Sequence, residues 1–158
     1  MDARYFLWAF ILASSVAIIG IPNKTTDKDL KNILELKRFE EHTYKLLPYK
    51  KFNGTITFGI MEGMQVGLCY FDVPAITFKE SYWVKLNQYA KEQLFLHEIG
   101  HCVYNLEHDD SMAIFNGEDQ CPVSVMNSIA FGRSECYTKY REYYINQLRR
   151  AIEEKEGL

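Results

Sequence analysis

The sequence predicts an α+β domain with a leading helix, a small mixed sheet, a long central helix and a C-terminal helix. Apolar residues return at helical spacing over 26–47, over 87–104 and from 134 onward. Between the first two of these stretches lie three short apolar or alternating runs, separated by Gly- and Pro-containing turns, as strands require. A chain of 158 residues with 47% hydrophobic content is the size of one domain and can bury one core unaided.

Residues 1–20 stand apart. Arg4 precedes an apolar run from Tyr5 to Ile19 that only Ser14 and Ser15 interrupt. The run is short for a membrane span and suits the core of a signal peptide, with Ser15 and Ala17 as the small residues before a cut. Uncut, it is an N-terminal membrane anchor; a buried first helix is a third reading. The division is therefore 1–20 as signal peptide or anchor and 21–158 as a single domain. The expected location is secreted or extracytoplasmic, with membrane contact only through residues 1–20. The cysteines agree with export. Cys69, Cys102, Cys121 and Cys136 form an even set of four that allows three pairings in an oxidising compartment, and none is spaced as CxxC. Asn23-Lys24-Thr25 and Asn53-Gly54-Thr55 are glycosylation sequons, meaningful only in a eukaryotic cell.

Thr26 to Leu47 reads as a helix capped by Thr26 and Asp29 and stopped by Pro48. Leu30, Ile33 and Leu34 are its apolar stripe, continued by Phe39 and Leu46, and His42 reads as a solvated surface histidine. Strands follow at 55–60, 66–71 and 75–78, and an edge of such a sheet can hold an extended peptide. The next helix runs from Asn87 to Tyr104, with Leu94, Phe95, Ile99 and Val103 turned inward. Asp109 to Pro122 reads as a polar loop in which Glu118 and Asp119 are plain loop charges. In the last helix, Tyr137, Tyr140, Tyr144, Leu148 and Ile152 form a core stripe, and Glu153 to Glu156 a solvated end.

The central helix holds His97-Glu98-Ile99-Gly100-His101. Residues four apart share a helix face, so His97 and His101 can aim two imidazoles at one metal ion. Glu98 points about 100° around the axis, where it reaches an attacking water without being a ligand. Neutral imidazole suits zinc, and a catalytic zinc site takes three protein ligands and one open position. His108 is the natural third ligand, with Glu107 as the alternative. A surface helix that happens to carry two His and a Glu is the bland reading of the five residues alone. The net charge of −3 argues against a nucleic-acid partner.

The stretch His97 to Asp109 resembles the metzincin zinc proteases, whose pattern is HExxHxxGxxH, often followed by Asp. It departs by one residue: the third His comes eleven after the first, and no Gly lies between His101 and His108. Asn105 stands three residues before His108, where the family has its Gly, and Asn is the best substitute in a left-handed helix end. Ser124-Val125-Met126-Asn127 resembles the family's Met-containing turn in order and distance. Together with Ile76-Thr77-Phe78 and Tyr82-Trp83 upstream, the pattern is similar to small bacterial matrixin-like metalloproteases. The likeness spans about Phe52 to Tyr144 and is strong only from His97 to Asp109.

The resemblance implies a metzincin-like zinc protease domain in which His97, His101 and His108 bind Zn2+. Glu98 would be the general base of a zinc endopeptidase, a monomer acting on a peptide or protein substrate. Asp109 and Asp110 are either braces for a ligand His or solvated loop acids. A non-catalytic metal-binding protein on the same scaffold is the alternative function, against which an intact Glu98 argues. A zinc hydrolase acting on non-peptide substrates is the third.

Overall fold

The computed structural model describes residues 27–129 and 134–158. The expected signal or anchor at 1–20, the sequon at Asn23 and the cap at Thr26 lie outside the described residues. The described chain is a small mixed α+β fold of five helices and two sheets. Helix α1 spans Asp27–Leu46; strands β1 (Thr55–Gly59), β2 (Gly67–Tyr70) and β3 (Ala75–Lys79) follow; a short α2 (Glu80–Trp83) leads to α3 (Gln88–Tyr104). A hairpin of β4 (Met112–Phe115) and β5 (Asp119–Pro122) precedes α4 (Ser134–Lys139) and α5 (Arg141–Glu156). None of the described helices is long and apolar enough to cross a membrane.

The larger sheet has the order β1-β3-β2, with β1 parallel and β2 antiparallel to β3. The most apolar strand is thus central: Ile76 and Phe78 of β3 are fully buried against α3. Both β1 and β2 are edges, and β2 is the edge beside α3. Trp83 is sealed in the core, with Phe39, Phe58 and Phe78 around its ring.

The structure corrects the orientation of α1. Leu30, Ile33 and Leu34 face solvent, at 49, 48 and 58% exposure, while Leu36, Phe39 and Thr43 turn inward. Polar pins set this rotation. Asn32 donates to Glu80, Glu35 accepts from Trp83 Nε1 and Lys91, and His42 meets Glu92. His42 keeps 43% of its side chain exposed, as expected of a surface histidine, but is also tethered to Glu92.

Glu92 gathers four helices. Arg141 donates twice to it, at 2.6 and 2.9 Å, Tyr137 donates at 2.6 Å, and His42 Nε2 lies 2.6 Å from it. These groups come from α5, α4 and α1, so one buried carboxylate of α3 fixes the central helix to the other three. Burial alone would push Glu92 up, but the donors outweigh it and hold the carboxyl below the usual carboxylate range.

The expected loop at 109–122 contains the hairpin. Asn116 and Gly117 both have positive φ (51° and 80°), the geometry of the tightest hairpin turns. Asp119, expected as a plain loop charge, accepts from Lys139 and Tyr140. Likewise Glu153 and Glu156 accept from Tyr49 and Lys50 instead of standing solvated. Two disulfides settle the pairing left open by the sequence: Cys69–Cys102 joins β2 to α3, and Cys121–Cys136 joins β5 to α4. Such bonds are characteristic of extracytoplasmic proteins.

Glu92→Gln leaves Arg141 without its charge partner and should cost about 3 kcal/mol, measured by denaturant unfolding. The pH dependence follows from the lowered carboxyl: near its ordinary range the unfolded chain binds the extra proton. The contribution is therefore complete above that range and is lost as pH falls through it. The acid limb of the stability curve should be steeper in the parent than in Glu92→Gln.

Candidate metal centre

The helix that carries the site is fixed at both ends by asparagine. Asn87 caps α3 by accepting from the amide of Ala90 at 2.9 Å. Asn105 takes the left-handed conformation, φ 50°, and ends it as the sequence suggested. The chain then folds back: the amide of Leu106 reaches the carbonyl of Gly100, and two residues later His108 arrives beside His101.

His97, His101 and His108 are brought together. Their Nε2 atoms lie 3.0, 3.1 and 3.3 Å from one another. Three nitrogens on a tetrahedral zinc at its usual bond length are about 3.3 Å apart, so the set fits such an ion. The proton positions fit as well. His97 Nδ1 donates to the carbonyl of Val125 at 2.8 Å, and His101 Nδ1 donates to the carbonyl of Leu106 at 2.7 Å. In the neutral rings each Nε2 then carries a lone pair, and the two lone pairs face one another across 3.0 Å. A cation between them turns that repulsion into two bonds. Burial pushes His97 down to about 3, and also lowers His101, so both rings are neutral at physiological pH. The three histidines could thus hold a metal ion. Glu107 is exposed and outside this group.

Beneath the histidines runs the turn at Ser124–Asn127, all four residues buried. Ser124 Oγ accepts from the amide of Met126 at 3.1 Å, and the amide of Asp109 donates to the carbonyl of Met126 at 3.1 Å. Met126 rests on α3 where Gly100 has no side chain; a Cβ there would lie 2.4 Å from its sulfur. The aspartates after His108 brace this turn. Asp109 works through its amide, and Asp110 accepts from Ser128 N and Oγ at 2.8 and 2.7 Å. For His97 and His101, backbone carbonyls orient the rings, where the sequence reading had considered carboxylates.

Glu98 faces a cleft of about 1030 Å³ that also takes in the three histidines and β2. Its carboxylate has no hydrogen-bond donor and no ion-pair partner among the described residues, and burial pushes it up to about 8. A cation held by the imidazoles would draw it down again. Room for it comes from Gly67 of β2, where a Cβ would lie 2.2 Å from Oε1. Sequence reasoning passed over Gly67, because a glycine in a strand carries no chemistry of its own; a strand Gly marking a close approach was the available signal.

No family model, no curated protein and no solved structure matches the chain.

Metal content measured by atomic emission after loading with a divalent cation should be about one ion per chain in the parent and in Glu107→Ala. His97→Ala, His101→Ala and His108→Ala should each lose it. Gly67→Ala should retain the ion, since the atoms nearest its methyl group all belong to Glu98.

Proposed function

We propose that the protein is an extracytoplasmic, zinc-dependent endopeptidase with a metzincin-like arrangement. The observation that carries the reading is the buried Glu98 carboxylate, without a donor or ion-pair partner among the described residues, opening into the same cleft as three convergent Nε2 atoms. Isolating a carboxylate from donors is unfavourable, and a metal site with a purely structural role has no use for one.

Each part of the chain has a place in the reaction. His97, His101 and His108 would hold the ion. Zinc, when bound, lowers the pKa of water toward about 7 and polarises a carbonyl. Glu98 accepts the proton of the attacking water and delivers it to the leaving amine. Gly67 keeps the carboxylate at its position by leaving that space empty. The outer edge of β2 lies along the cleft with one side unpaired in the sheet, so it can take an extended peptide by backbone hydrogen bonds. The cleft volume of about 1030 Å³ is at the upper end for small-molecule pockets, about 300–1,000 Å³, and suits several residues of a chain.

Cleavage of unstructured peptides tests the reading. Glu98→Ala should keep its zinc and lose about 10²–10⁴-fold in turnover, the range for general-base catalysis. Unchanged turnover would remove Glu98 from the chemistry. Zinc binding without cleavage of any peptide would leave a metal-binding scaffold instead of an enzyme.

A further inference from the structure

The cleft has a charge character that the metal site does not require. Among the described residues lining it, Glu98 is the sole carboxylate, whereas Lys79 and Lys85 both contribute cations. Neither lysine enters an ion pair among the described residues. Lys79 donates its Nζ to the carbonyl of Gly63 at 2.8 Å, which fixes its position and leaves its charge unneutralised. Its amide donates to the carbonyl of Val66 at 2.9 Å, so it sits beside the residue that precedes Gly67. Around this end of β2 the walls carry the large side chains of Met64, Val66 and Tyr82, with the uncharged polar Gln65 and Ser81 beside them.

Resting on the peptidase reading, we propose that the cleft selects peptides with an acidic side chain close to a large apolar one, the acid being read by Lys79 and Lys85. Geometry sets the spacing. A peptide lying along β2 places the reacting bond near Gly67, opposite Glu98. Strand residues advance about 3.3 Å each, so side chains within three residues of that bond, about 10 Å, reach the lysine end. Apolar side chains meet Met64 and Tyr82, and a carboxylate meets the two ammonium groups. Each such pair sits at a solvated rim and is worth about two- to fivefold in affinity, weakening with salt.

The test uses the full chain with Glu98→Gln, which retains the cleft and suppresses turnover. Three fluorescent peptides share a central Leu-Phe and differ only in flanking Asp, Asn or Lys pairs. Fluorescence anisotropy should show the Asp peptide binding about tenfold more tightly than the Lys peptide at low salt, with a smaller gap at high salt. Adding Lys85→Glu should reverse the order, and Lys79→Gln should narrow it. Equal binding of the three peptides, or an order that ignores Lys85→Glu, overturns the proposal. Asp preference with no cleavage by the parent would keep the acid-reading cleft and remove the peptidase reading. Equal cleavage of all three peptides would do the opposite.

Discussion

The bond from His97 Nδ1 to the carbonyl of Val125 determines more of this structure than any other single contact. It fixes which nitrogen of His97 faces His101 and His108, and it does so with a partner 28 residues away. For that carbonyl to be present, the Ser124–Asn127 turn must be buried beneath α3. For the turn to be buried, Met126 must lie against Gly100, on the helical turn that carries both histidines. The three histidines are close in sequence, but their orientation is a tertiary property. A metal bound here would stabilise the packed turn in proportion to its affinity, since the unfolded chain offers no such arrangement.

The central helix is held in two different ways along its length. Its first half is anchored by charge: Glu92 with Arg141, Tyr137 and His42, and Lys91 with Glu35. Its second half is positioned by close backbone approach, through Gly67 and Gly100, and by Cys69–Cys102. At each of these glycines the missing Cβ lets a side chain, that of Glu98 or of Met126, approach the backbone closely, so distance is set there by space and not by charge.

Sequence reading found the three histidines, Glu98 and the Met-containing turn because their spacing is local. An i, i+4 pair on a helix and a left-handed Asn three residues before His108 are encoded within a dozen positions. It also placed α3 and the three strands to within a residue or two, since Asn87, Asn53-Gly54 and the alternation at Thr55 to Ile60 mark their limits. What it missed depends on partners far along the chain. Leu30, Ile33 and Leu34 have the periodicity of a buried stripe, but hydrogen bonds from Asn32, Glu35 and His42 turn them outward. Glu92 looks like any helical glutamate until Arg141 arrives 49 residues later. The β4–β5 hairpin was legible in principle: Asn116-Gly117 is a strong turn signal, obscured by strands of only four residues each.

Cys69–Cys102 has a consequence for a chain whose backbone is cut. The bond encloses β3, α2 and nearly all of α3, so the strand that borders the cleft and the helix that carries the histidines are joined twice, once by the backbone and once by sulfur. The exposed turn at Phe71–Pro74 and the exposed residues between α2 and α3 lie within this loop. A single nick at either place leaves two fragments in one covalent molecule. The opposite walls of the cleft then stay attached, and damage that would divide an unbridged chain leaves this one in a single piece.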